Sequence, residues 1–61
     1  METAPEMKTH IRDFRRAKGW SQQKLAEELK VAVATVARWE AGRTQPSELA
    51  REALQRIGWE S

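Results

Sequence analysis

Apolar residues recur at intervals of three and four positions along most of the chain, which is the spacing of amphipathic helices. Gly19, Gly42 and Pro46 interrupt this spacing and divide the chain into short segments. No segment sustains the alternation of apolar and polar residues that a half-buried strand requires. The pattern therefore predicts an all-α fold.

The segments predict a small four-helix bundle formed by residues 6–61, preceded by a flexible N-terminal tail over residues 1–5. The helices are expected from Glu6 to Lys18, from the cap Ser21 to about Lys30, from about Ala32 to Ala41, and from the cap Ser47 to Gly58. The side chains expected to face inward are Ile11, Phe14, Leu25, Ala26, Leu29, Val36, Trp39, Leu49, Ala53, Leu54 and Ile57.

Length and composition restrict the class of protein. The chain has 61 residues, of which 39% are hydrophobic and 33% charged, so it is expected to be a single globular domain. Its first residues contain no apolar core of a signal peptide, and no apolar run approaches the roughly 20 residues of a membrane span. With no cysteine to form disulfides, the cytoplasm is the simplest expected location.

The chain lacks the residues that catalysis and metal binding need. The chain has one histidine and no cysteine or tyrosine, and it shows no paired-carboxylate or glycine-loop motif. His10 has no neighbouring histidine or cysteine ligands and is expected to be a surface residue of the first helix. We therefore expect no enzymatic activity, no metal and no cofactor.

Two short helices joined by a tight turn, as expected for the second and third segments, form a helix-turn-helix, whose second helix can enter the major groove of DNA. The net charge of +2 and the pI near 9.5 are compatible with a polyanionic partner. Helical spacing and charge alone favour a plain packing module over a DNA-binding domain, because small helical bundles contain the same arrangement.

Sequence detail favours one family. The informative residues are Ile11, Phe14 and Arg15 before Gly19, then Ser21-Gln22, Leu25-Ala26-Glu27, Val36, Trp39-Glu40, Gly42 and Pro46. In this order they resemble the Cro and phage-repressor family of helix-turn-helix proteins, the xenobiotic-response-element type, from about Ile11 to Ile57. The resemblance implies a lambda-repressor-like bundle and a transcriptional regulator, preferably a repressor, that binds double-stranded DNA near the nucleoid.

The family pattern implies roles for individual residues. Arg15 and Glu40 match a structural ion pair that joins the first helix to the third. The residues matched to DNA phosphate contacts are Ser21, Gln22, Thr35 and Arg43. The positions that contact bases carry Ala32, Val33, Ala34 and Arg38. Gln22 and Arg43 also fit an ordinary first-turn glutamine and a solvated loop arginine.

Two features depart from the family. Base-contacting positions usually carry polar side chains, whereas Ala32, Val33 and Ala34 offer only methyl contacts, chiefly to thymine, and Arg38 alone could contact guanine through two hydrogen bonds. Lys30 stands where relatives carry a glycine that opens the turn. Either Lys30 keeps the left-handed conformation at a cost of about 1 kcal/mol, or the second helix continues past it.

The C-terminal segment does not decide whether the chain forms a homodimer. The family's fifth helix is expected to be missing, because the sequence given stops at Ser61. A homodimer through Ile57 and Trp59 is one expectation, since an exposed tryptophan is a common interface anchor. In the alternative expectation, Trp59 caps the core of its own domain.

The apolar Ala32–Ala34 front of the third helix also suits an antitoxin-like or regulatory protein-interaction module with weak or absent DNA binding.

Overall fold

The computed structural model describes residues 7–59, and their side chains from Ile11 onward. The helices in this range are α1 (Met7–Ala17), α2 (Gln22–Leu29), α3 (Val33–Ala41) and α4 (Glu48–Arg56). Within residues 7–59 there is no strand, so the predicted all-α four-helix fold is confirmed. The tail predicted over residues 1–5, the expected start at Glu6 and the side chain of His10 lie outside the described residues.

Serine side chains cap α2 and α4. The Ser21 hydroxyl oxygen accepts a hydrogen bond from the Lys24 N–H at 3.0 Å, and the Ser47 oxygen accepts one from the Ala50 N–H at 3.2 Å. Each bond satisfies an N–H that has no partner inside its helix. At the start of α3, Ala32 is itself the N-cap, with extended backbone and no side-chain oxygen to accept such a bond. The third helix therefore begins one residue later than predicted.

Lys30 ends α2 in the left-handed conformation, with φ 61° and ψ 43°. The Lys30 N–H donates to the Glu27 carbonyl at 3.2 Å, and the Val31 N–H donates to the Ala26 carbonyl at 3.0 Å. These two hydrogen bonds close the last turn of the helix. Of the two alternatives for this position, the turn geometry is therefore kept and the helix does not continue. A lysine held in this conformation costs about 1 kcal/mol relative to glycine.

The core lies between α3 and the helices on either side of it. Val36 and Trp39 of α3 are buried, and α3 packs against both α1 and α2. The completely or nearly buried apolar side chains are Ile11, Leu25, Ala26, Leu29, Val36, Trp39, Leu54 and Trp59. None of the helices in residues 7–59 is both long and apolar enough to cross a membrane.

The prediction that Leu49 faces inward is wrong, because 76% of its surface is exposed. The face of α4 that packs on the core follows Ala50, Ala53, Leu54 and Ile57, which are spaced by three and four residues. Leu49 precedes this stripe by one position, and one residue turns the helix by about 100°. Its side chain therefore points away from the core.

Trp59 is a core residue, with 2% of its surface exposed. The chain turns back after α4 at Gly58, whose φ is 110°, and the Trp59 N–H donates to the Leu54 carbonyl at 3.0 Å. This geometry favours the alternative in which Trp59 caps its own domain. The expectation of an exposed Trp59 is therefore wrong, since its indole is buried and Ile57 is itself half-buried against the core. A homodimer through the C-terminal helix stays a prediction.

Candidate nucleic-acid interface

A buried carboxylate joins three parts of the domain. Glu40, near the end of α3, has 3% of its surface exposed. Its Oε2 accepts from Arg15 Nε at 2.7 Å and its Oε1 accepts from Arg15 Nη2 at 3.0 Å. The remaining terminal nitrogen of Arg15 donates to the Trp20 carbonyl at 2.8 Å. The guanidinium thus ties α1 to α3 and to the loop that leads into α2.

Gln22 is part of the same network. Its Nε2 donates to Glu40 Oε1 at 3.0 Å, so the first turn of α2 is held against the end of α3. The family pattern places a glutamine here but does not reveal this bond, which joins residues 18 positions apart. The bond determines which way the amide points. The second N–H of the amide remains to donate to an outside acceptor.

Arg12 also lies beside this carboxylate, with its Nε 3.8 Å from Glu40 Oε1. This distance is that of an ion pair and is too long for a hydrogen bond. The family pattern does not assign a role to Arg12 among the basic residues of α1. The signal that would have found it is its position one helical turn before Arg15.

The surroundings of Glu40 change its acidity. Burial raises the pKa of the Glu40 carboxyl. The hydrogen bonds from Arg15 and Gln22 and the positive charges of Arg15 and Arg12 lower the pKa by more than burial raises it, so it lies below its ordinary value. The hydrogen bond to Glu40 raises the pKa of Arg15 despite the opposing effect of desolvation. Both groups are therefore charged at neutral pH.

The other residues matched to phosphate contacts are distributed around this network. Ser21 is exposed, and because its oxygen already accepts from the Lys24 N–H, its hydroxyl proton can be donated outward. Thr35 is half-buried in the first turn of α3. Arg43 is exposed in the loop after α3, and its N–H donates to the Arg38 carbonyl at 2.9 Å. The fold thus leaves donor groups at both ends of the helix-turn-helix.

The front of α3 is exposed and mostly apolar. Ala32 and Ala34 are exposed, and 43% of the Val33 surface is accessible. Arg38 is exposed as well and follows Ala34 by four residues, so the two lie on the same side of the helix. The four residues matched to base contacts therefore remain available on the surface of the domain.

A metal site finds no support in the described part of the chain. No three His, Cys, Asp or Glu side chains among those residues come together in a way that could hold a metal ion. Glu40, the carboxylate with the most contacts, is bound by cationic and amide donors instead.

The arrangement of α2 and α3 defines a helix-turn-helix domain, with a short turn at Lys30 and a partly exposed second helix. A comparison with protein families matches residues 11–56 to the helix-turn-helix family of the Cro and phage-repressor type. The chain belongs to this family, whose members are DNA-binding regulatory domains and not typically enzymes. Comparisons with curated proteins and with solved structures found no significant match.

Proposed function

We propose that this domain binds double-stranded DNA in a sequence- or shape-selective manner with α3 in the major groove, and that it acts as a transcriptional repressor in the cytoplasm. The observation that carries the proposal is the exposed front of α3, where Arg38 lies beside side chains that the core does not use. An α-helix fits the major groove of B-DNA, and side chains along its exposed front then reach the base edges.

Base contacts are assigned to Ala32, Val33, Ala34 and Arg38. The Arg38 guanidinium can donate two hydrogen bonds to O6 and N7 of guanine, the commonest specific contact in the major groove. The three small side chains offer methyl groups, whose natural counterpart is the 5-methyl group of thymine. This front predicts a site that combines a guanine with nearby thymines.

Phosphate contacts are assigned to Ser21, Gln22, Thr35 and Arg43. The Gln22 amide is held in one orientation by Glu40, so its second N–H can meet a phosphate with little loss of side-chain entropy. Phosphate contacts set the register of a protein on the duplex, whereas base contacts select the sequence. The two groups of residues therefore have separable effects on binding.

The proposal is tested by fluorescence anisotropy with a random-sequence duplex at several salt concentrations. We expect dissociation constants from about 1 to 100 μM at physiological salt, as for other non-specific DNA binding. The logarithm of the association constant should fall linearly with the logarithm of salt concentration, with a slope of about −0.9 per phosphate contact. Selection from a random library would then identify the preferred site.

The second candidate function is an antitoxin-like or regulatory protein-interaction module. The exposed Val33, flanked by Ala32 and Ala34, favours this alternative, because apolar surface is buried more often against protein than against phosphate. The same titration separates the two functions. An absence of binding at low salt, both to random duplex and to the library, would reject DNA binding in favour of the protein-interaction module.

A further inference from the structure

The Glu40 network carries more positive charge than one carboxylate neutralises. Arg15 alone forms the two hydrogen bonds that balance Glu40. Arg12 adds a second guanidinium at 3.8 Å, so the three charged groups together have a net charge of +1. A cluster of this kind attracts an anion, whereas an isolated Arg–Glu pair has no net charge.

The surplus cation lies next to the glutamine amide. Arg12 Nε and Gln22 Nε2 both approach the same atom, Glu40 Oε1, at 3.8 and 3.0 Å. The two side chains therefore come from different helices to a common point. Beyond the groups that face Glu40, Arg12 retains its two terminal NH₂ groups and Gln22 one N–H. A phosphate group has several acceptor oxygens and can take donors from both.

Arg12 is not needed for the ion pair itself. Its side chain is 45% exposed, and its nitrogen is too far from Glu40 for a hydrogen bond. A half-exposed pair at this distance contributes less to stability than the buried, hydrogen-bonded pair between Arg15 and Glu40. Arg12 is therefore free to direct its terminal NH₂ groups towards an anion outside the protein.

We propose that Arg12 is a further DNA phosphate-contacting residue, which binds together with Gln22 to one phosphate while Glu40 orients both side chains. This inference rests on the DNA binding proposed above and adds α1 to the surface that lies against the DNA backbone. It also gives the buried carboxylate a positioning role besides its structural one.

The test compares the Arg12→Ala and Arg51→Ala variants in the salt titration with random duplex. Arg51 is an exposed arginine of α4 that lies among Glu48, Glu52 and Gln55, so its removal changes the net charge equally at a different place. For Arg12→Ala we expect weaker binding and a salt slope less steep by about 0.9, which corresponds to one lost phosphate contact. Arg51→Ala should keep the slope of the unchanged chain.

Thermal unfolding of both variants and an Arg12→Lys variant complete the test. Lysine keeps the charge, so Arg12→Lys should restore most of the salt slope, and both alanine variants should unfold near the temperature of the unchanged chain. An unchanged slope for Arg12→Ala, or equal losses for the two alanine variants, would overturn the role of Arg12 and leave DNA binding standing. Absence of binding by the unchanged chain would overturn both proposals.

Discussion

The two ends of α3 invert the usual distribution of polar and apolar residues. Near its C-terminal end, the charged Glu40 is 3% exposed, whereas in its first turn the apolar Val33 is 43% exposed. A buried charge is tolerated only when partners compensate its desolvation, and Glu40 has Arg15 and Gln22. Val33 has no such requirement, because scattered apolar side chains are common on protein surfaces. One end of the helix is therefore tied to the fold and the other is left exposed.

The comparison teaches that the two ends should respond differently to mutation. Replacing a member of the buried network leaves a charge without its partner, so the loss appears as lower stability. Replacing a residue at the exposed front removes nothing that the core uses, so the loss appears as weaker binding.

Glu40→Ala should have the largest effect. It leaves the guanidinium of Arg15 without its partner, and breaking a buried pair in this way costs about 3–5 kcal/mol. Because small domains are stable by only about 0.05–0.15 kcal/mol per residue, this loss should remove a third or more of the stability of the domain. Urea or thermal denaturation followed by circular dichroism measures it. Glu27→Ala, an exposed glutamate of α2, is the matched control and should change stability by less than about 0.5 kcal/mol.

Acid should produce the same loss gradually. The pKa of Glu40 is lower in the folded state, so its contribution to stability is complete above the unfolded value of about 4.3. That contribution should disappear as pH falls from about 4.3 through the lower pKa of the folded state. Thermal unfolding at a series of pH values tests this direction. A Glu40→Gln variant should lose this part of the acid dependence, and an equally steep acid loss in that variant would contradict it.

Arg38→Ala tests the exposed front of α3 and should weaken DNA binding. A bidentate contact to guanine contributes about 1–3 kcal/mol of discrimination, so affinity for the selected site should fall by about fivefold to 150-fold. The unfolding temperature should change little, because Arg38 is exposed. Arg56→Ala removes an exposed arginine from the last turn of α4 and serves as control. Equal losses of stability and binding in Arg38→Ala would reject the separation of roles.

Local sequence signals were sufficient for the fold. Residue type alone predicts Ser21 and Ser47 as helix caps, and both accept the expected backbone hydrogen bonds. Gly42 was predicted to end α3 and adopts the left-handed conformation there. These signals are reliable because each depends on the preference of one residue for one backbone geometry.

Features that depend on packing between distant residues could not be predicted in the same way. The bond between Gln22 and Glu40 and the approach of Arg12 arise only once α1, α2 and α3 have assembled. The sequence fits an exposed Trp59 and a Trp59 that caps its own core equally well, and the turn after α4 places it in the core. Leu49 has the right residue type for the core but lies one position away from the packed face.

Uracil substitution should produce the smallest effect and examines the apolar front directly. Uracil lacks the 5-methyl group of thymine but keeps the same hydrogen-bonding edge, so any loss of affinity reports methyl contacts alone. Burial of one such group contributes about 0.8 kcal/mol, so each contacted thymine of the selected site should cost about fourfold when replaced. Thymines outside the site are the control.

Val33→Thr keeps the shape of the side chain but replaces a methyl with a hydroxyl, so it should reduce the difference between thymine and uracil at the position that Val33 contacts. If uracil binds as tightly as thymine throughout the site, the first turn of α3 does not read methyl groups, and selectivity would have to come from Arg38 and the shape of the duplex.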